Sequence, residues 1–397
     1  MKKFTVLLMA SVMMLSGCTK KNDTPVITDN TENSVTTEKT STVAKTSESN
    51  NNDIQYIGNY SYYQNGVAYQ AGSVPNNTEM FLDFDSMEKA SLCAVPNCNH
   101  MTSSCLAKSM GRYEPIFYND YIYFFSTNGG QVRETPDGSE FYIDSSLKKS
   151  SLDSYEVQTV CEFHDCVPHE TSNYVLYDNE LFFVADDRGA VKDDYGNYSW
   201  GNSGGDFFLC SVNLDTYEYT NYGSICDDDK VYDGAKNSRG SNIRGVYDGK
   251  MYITHSFIKD QNADSTSDDY WTNWIFEFNF DTKSWKKSDL NFPVFMNQDC
   301  YISYDMDDKT AKVIWQGEEF EFNLGFDIYS FRLSLCSEFN GKVFFPTVDK
   351  WFDLKDLSEH SMGEYADYEV IGYRNDSYIL RKEGKIAKIT ENELLSL

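Results

Sequence analysis

The sequence predicts an all-β fold, a six- or seven-bladed β-propeller over residues 54–397, with a pair of β-sandwiches as the alternative architecture. Two observations predict it. A unit of aromatic strand, tight Asn/Asp/Gly turn and second aromatic strand keeps recurring, and most copies are followed by another strand pair with an Asp between its members. Helical periodicity is almost absent over the same span. Four strands per unit, in six or seven units, is the pattern of a ring of blades.

Taken in order, the first hairpins are "NYSYYQNGVAYQA" (59–71), "PIFYNDYIYFFS" (115–126), "NYVLYDNELFFVAD" (173–186), "IRGVYDGKMYITH" (243–255), "SLCSEFNGKVFFPT" (334–347) and "YEVIGYRNDSYILRK" (368–382). Their turn pairs, Asn65-Gly66, Asn119-Asp120, Asp178-Asn179, Asp248-Gly249, Asn340-Gly341 and Asn375-Asp376, tolerate positive φ and close two-residue hairpins. In the second strand pairs Asp85, Asp215 and Asp281 stand at the turn, with the alternation of half-buried strands on either side. Residues 299–324 have the same grain with a degenerate first hairpin. Tyr123, Phe124, Phe182, Phe183, Tyr252, Phe344 and Phe345 are expected in the core between blades.

Ahead of the repeat the chain opens MKKFTVLLMASVMMLSGC, a basic start and a short apolar run, which is the form of a secretory signal peptide over residues 1–17. Leu15-Ser16-Gly17-Cys18 resembles the bacterial lipobox, and the resemblance implies that Cys18 becomes the first mature residue and carries a diacylglyceryl group. Residues 18–53 are rich in Ser, Thr and Asn and contain no aromatic, so they are expected to form a disordered tether. As a coil such a tether spans roughly 30 Å. The expected location is the cell membrane, lipid-anchored on the extracellular face, and a long Ser/Thr tether suits a thick Gram-positive wall. The net charge of -28 argues against a nucleic-acid partner. A monomer is expected.

The repeats of residues 55–397 resemble the tandem propeller lipoproteins of Gram-positive anaerobes, whose units run strand, Asn-Gly turn, Ile-Tyr-Tyr, then Leu-Tyr-x-x-Asp-Leu. The resemblance implies a propeller and assigns no activity. No Trp-Asp, kelch Gly-Gly or sialidase Asp-box signature accompanies it.

The densest chemistry lies in "LCAVPNCNHMTSSC", where Cys93, Cys98, His100 and Cys105 have the spacing C-x4-C-x-H-x4-C. Three thiols and an imidazole match a closed tetrahedral zinc site, so zinc is the cofactor these residues would hold. Disulfides compete with that reading outside the cell, because Cys93 can pair with Cys98 or Cys105. A second run, "CEFHDC", places Cys161, His164 and Cys166 at the matching exit of the second blade, and the two exits could converge as a clasp. Cys210, Cys300 and Cys336 lie in apolar strands as buried thiols. Trp200, Trp271 and Trp274 sit in apparent long insertions and are candidates for stacking on a ligand.

No H-E-x-x-H, Walker or dinucleotide motif is present. The expected function is therefore a non-catalytic module binding an extracellular ligand or protein through loops over the central channel. The alternative is an extracellular hydrolase of glycan or peptide working through carboxylates at the channel mouth.

Overall fold

The computed structural model describes residues 54–397 except 59, 72–77, 94–97, 101–104, 110–112, 128–130, 136–137, 143–144, 152–155, 164–165, 170–172, 187–189, 193–197, 201–206, 226–237, 259–261, 263–270, 292, 306–307 and 326–335. Expectations for the signal peptide, Cys18, the tether and His164 lie outside these residues. So do the side chains of Trp200 and Trp271. Among the described residues no helix is long and apolar enough to cross a membrane.

Seven antiparallel meanders follow one another along the chain. They settle the blade number at seven and exclude the sandwich pair. Blade 1 is Ser61–Tyr63, Gly66–Ala71, Thr78–Asp83 and Lys89–Ser91; blade 2 is Ile116–Tyr118, Tyr121–Thr127, Ser145–Ser151 and Val157–Phe163. Blade 3 is Tyr174–Tyr177, Glu180–Asp186, Phe207–Asn213 and Tyr219–Ser224; blade 4 is Ser238–Tyr247, Lys250–Ile258, Trp271–Asn279 and Ser284–Lys287. Blade 5 is Pro293–Met296, Cys300–Asp305, Thr310–Trp315 and Glu318–Asn323; blade 6 is Ser337–Phe339, Lys342–Phe345, Lys350–Asp353 and Glu359–Ser361. Blade 7 has three strands, Glu369–Arg374, Ser377–Lys382 and Lys385–Thr390.

Second strands are buried almost throughout, as in Leu181–Ala185 and Lys342–Phe345, whereas fourth strands such as Ser284–Lys287 are largely exposed. First strands therefore line the axis and fourth strands the rim. The seven aromatics expected in the core are all buried there.

Turn chemistry explains the register. Asn119, Asp178, Asp248, Asn340 and Asn375 all take positive φ, the backbone a two-residue hairpin with the strand twist requires. In blade 1 the turn falls one residue earlier than expected, at Gln64-Asn65, because Tyr63 pairs with Gly66. Gly66 is instead a strand residue where a Cβ would stand 2.3 Å from the Leu82 carbonyl oxygen. Blade 5 is complete rather than degenerate. Its first strand precedes residue 299, and Asn297 Oδ1 shapes a longer turn by accepting from the N–H groups of Asp299 and Cys300.

The third-to-fourth strand turns repeat a second device. The side chains of Asp83, Asn213 and Asn279 each accept two backbone N–H bonds, from Asp85 and Ser86, from Asp215 and Thr216, and from Asp281 and Thr282. Such Asx turns satisfy donors that would otherwise be orphaned at the bend.

Among the described residues no strand is shared between the ends of the ring. Blade 7 meets blade 1 through side chains: Arg374 bonds Asp85, Lys388 donates to the Phe84 carbonyl and Lys89 to that of Gly384. Val67, Tyr69, Leu82 and Phe84 pack with Ile371 and Ile379 across the same seam.

The N-terminal segment takes a course the repeat pattern does not announce. Strand Gln55–Ile57 pairs antiparallel with Tyr174–Tyr177, on the axial edge of blade 3. Gln55 Nε2 donates to the Tyr62 carbonyl in the first strand of blade 1. Tyr56 packs with the core shared by blades 3 and 4, and its hydroxyl meets Asn173 Nδ2 at 2.6 Å. A strand touching the inner strands of blades 1 and 3 and the core of blade 4 stands at the axis of the ring.

Candidate functional site

In each meander the first-to-second and third-to-fourth turns lie on one face, and the remaining connections lie on the other. The first group is short throughout. The second group contains 92–115, 128–144, 187–206, 225–237 and 259–270, so the long connections share one face. Two of them carry hairpins of their own, Gln131–Thr135 with Gly138–Tyr142 and Ala190–Lys192 with Tyr198–Trp200.

Connection 92–115 leads from the rim strand of blade 1 back to the axial strand of blade 2 and carries the first Cys/His run. The ligand atoms of Cys93, Cys98, His100 and Cys105 all lie within 4.8 Å of one another. His100 adopts φ 55°, a left-handed conformation that histidine tolerates better than bulky residues do. That bend aims its N–H at Cys98 Sγ, 3.4 Å away, and carries its Nδ1 to 3.3 Å from Cys105 Sγ. Ser91 Oγ lies 3.5 Å from the same nitrogen.

Cys105 opens the short helix Leu106–Ser109, whose Lys108 N–H returns to the Cys105 carbonyl. Cys105 is buried, and the other three are half-buried. The His100 N–H holds the Cys98 thiol below its usual range, whereas burial pushes the Cys105 thiol up. Ala68 and Phe81 of blade 1, with Phe117, Ile122 and Phe124 of blade 2, form the apolar bed under the cluster. The site therefore sits on the seam between these two blades.

Cys161 and Cys166 of the second run do not join it. Among the described residues, the group of mutually close ligand atoms consists of the first four alone. Cys161 lies on the rim strand of blade 2 and packs at the edge of the core shared by blades 2 and 3. Cys166 Sγ is 3.1 Å from the Tyr219 hydroxyl, which is also 3.3 Å from Cys210 Sγ. All eight described cysteines are free thiols, with Cys210, Cys300 and Cys336 buried.

Of the tryptophans, Trp200 lies in an insertion hairpin and Trp271 begins the third strand of blade 4. Trp274 lies inside that strand rather than in an insertion. Its ring is half-buried under Lys287, whose Nζ is 3.7 Å from the ring centroid. "DDYWTNW" joins the strand because Trp271–Asn279 pairs along its whole length with Lys250–Ile258.

A polar network that the sequence reading missed lies where blades 7, 1 and 2 meet, on the long-connection face. Tyr60 donates to Glu369, and Arg381 donates to the Tyr60 hydroxyl at 2.8 Å and to the Gln70 carbonyl at 2.9 Å. Burial raises the Glu79 carboxyl to about 8 and lifts those of Glu114 and Glu369 above their usual range. Glu79 Oε2 and Glu114 Oε2 are buried and have no hydrogen-bond partner. The available signal was parity: Glu79 shares its strand face with buried Phe81.

No protein-family model matches this sequence, and no curated protein matches it. Among solved structures, an oligogalacturonate lyase from Vibrio parahaemolyticus is 12% identical over 86% of this chain and 92% of its own, with a TM-score of 0.41. The β-propeller domain of the trilobed protease from Pyrococcus furiosus is 10% identical over 85% and 91%, with a TM-score of 0.38. Likeness at this level says nothing of ligand or chemistry.

Proposed function

We propose that this chain is a lipid-anchored extracellular propeller that binds a ligand or partner on its long-connection face without transforming it. The direction of the axial strand carries the reading. First strands run from the long-connection face to the short-turn face, and Gln55–Ile57 runs antiparallel to one of them. The chain therefore enters the ring from the short-turn face. An anchor at Cys18 then lies on that side, and the long connections face away from the membrane. The three longest, 92–115, 187–206 and 128–144, all fall between the last strand of blade 1 and the third strand of blade 3, as expected of a local binding surface rather than of symmetric decoration.

Binding is favoured over hydrolysis by the state of the acids. Glycoside hydrolysis of the common kind needs two carboxylates that both reach substrate or water. The unpartnered oxygens of Glu79 and Glu114 are buried, and the axial strand stands where an open channel mouth would lie.

The anchor is tested by fractionating cells that carry Cys18→Ser, which should move the protein from the membrane to the soluble fraction. Recovery in the membrane would overturn it. The surface is tested on an array of cell-wall glycans and peptides, comparing the native chain with one whose connections 128–144, 187–206 and 259–270 are cut to two-residue turns. Binding is expected only with the native chain, and turnover of a bound probe would refute the non-catalytic half.

A further inference from the structure

We infer that Cys93, Cys98, His100 and Cys105 hold one zinc ion in a closed four-coordinate site that fastens the blade 1-to-blade 2 connection onto the seam beneath it. The inference stands apart from the anchoring and ligand-binding reading, because it uses only the geometry of these four side chains.

Four soft or borderline donors converge within 4.8 Å. A tetrahedral zinc site with bonds of about 2.3 Å to sulfur has sulfur–sulfur edges of about 3.8 Å, so little contraction closes the group around an ion. A disulfide would engage two of the three sulfurs and leave the third, together with the imidazole, gathered for no purpose. One ion uses all four.

The local backbone is arranged to the same end. His100 accepts a left-handed φ of 55°, and this one bend sets both its N–H against Cys98 Sγ and its Nδ1 against Cys105 Sγ. N–H contacts to a ligating sulfur are the outer-shell support that metal thiolates commonly have. The donor set contains no oxygen, which excludes calcium and magnesium as the natural occupants and selects a thiophilic ion. Four protein ligands leave no open position for water or substrate, so the ion is structural.

Its place in the fold gives it a task. Connection 92–115 has to return from rim to axis across the seam, and the helix Leu106–Ser109 is too short to stand alone. Fixing Cys93 at its start to Cys105 at the head of that helix closes the path over the apolar bed of Phe81, Phe117 and Phe124.

The test begins with the full chain purified without chelator, its metal measured by mass spectrometry. One equivalent of zinc is expected. Cys98→Ser and Cys105→Ser should each lose at least tenfold in occupancy, Cys161→Ser should keep the full equivalent, and His100→Cys should keep zinc as a four-thiolate site. A second readout guards against misfolding of the serine variants. Cobalt exchanged into the native chain should give visible absorption of tetrahedral intensity, shifted to lower energy in His100→Cys. Zinc absent from the native chain, occupancy unchanged in the Cys98 and Cys105 variants, iron or copper in place of zinc, or a non-reduced peptide map linking any two of Cys93, Cys98 and Cys105 would each overturn the inference.

Discussion

Lys342 offers a quantitative test of how the end of the chain is secured. It is 1% exposed, and its Nζ lies 2.6 Å from Glu391 Oε1 and 3.1 Å from Asp353 Oδ2. Glu391 begins the terminal helix Glu391–Leu395, which is fixed by a capping box between Thr390 and Glu393 and buries Leu394 against Phe344 and Trp351. At an effective dielectric near 20, the two gross attractions are about 6 and about 5 kcal/mol. Desolvation of the ammonium offsets several kcal/mol of that, so the intact triad is worth far less than the sum. Lys342→Met keeps most of the stem and leaves two carboxylates facing each other. Removing one member of a buried pair costs about 3–5 kcal/mol, and the 30% exposure of Glu391 sets the expectation at the low end. Roughly 340 folded residues give an unfolding entropy of about 0.7 kcal/mol/K, so the melting temperature should fall by about 4 °C. Near-UV circular dichroism melts measure it. The double variant Lys342→Met/Glu391→Gln should recover about 1 kcal/mol relative to the summed single losses. A single variant melting within about 1 °C of the native chain, or strictly additive losses, would refute the latch.

Two other perturbations follow from contacts already described. Gly66→Ala puts a methyl group 2.3 Å from the Leu82 carbonyl and 2.4 Å from the Phe81 ring, for a loss of about 2–3 kcal/mol. Gly240→Ala meets nothing within 4 Å and should be neutral or gain up to about 1 kcal/mol, so equal effects in chemical denaturation would contradict the packing. Glu79 has a folded pKa of about 8, above its ordinary 4.5, so the fold holds its proton longer than the unfolded chain does. Stability should therefore fall as pH rises between these two values, by up to ~5 kcal/mol. Glu79→Gln should flatten that slope and melt higher at pH 8, and an unchanged slope would remove Glu79 as its source.

Local signals announced most of the ring. Asn and Asp at the hairpin bends held in blades 2, 3, 4, 6 and 7, the core Tyr and Phe in blades 2, 3, 4 and 6, and the outer-turn Asp in blades 1, 3 and 4, and all are short-range features. Two positions were harder. Asn65-Gly66 resembles an ideal turn, but Phe81 and the Leu82 carbonyl approach so closely that only glycine fits in the strand, and the turn moves back to Gln64. Asn297 bends blade 5 with its side chain, a device that leaves no Asn-Gly pair to find. The Cys/His run could be found because its four members lie in one short segment. The network of Glu79, Glu114, Glu369 and Arg381 could not, because it is assembled from three blades and only the closed ring brings it together. Nor does any local pattern tell a three-residue strand at 55–57 to pair with residues 174–176.

That pairing has a mechanical side. The hydrogen bonds of Gln55–Ile57 to Tyr174–Leu176 lie across the direction in which the strand runs. A force drawing residue 54 out through the short-turn face pulls along the strand, so these bonds are loaded together in shear and are not peeled off singly. Tyr56, clamped by Asn173, would have to be dragged past the core of blades 3 and 4 in the same step. Strain arriving along the chain from the N-terminal side is thus borne first in the middle of the ring, away from the seam between blades 7 and 1, which the side chains of Arg374, Lys388 and Lys89 help hold shut.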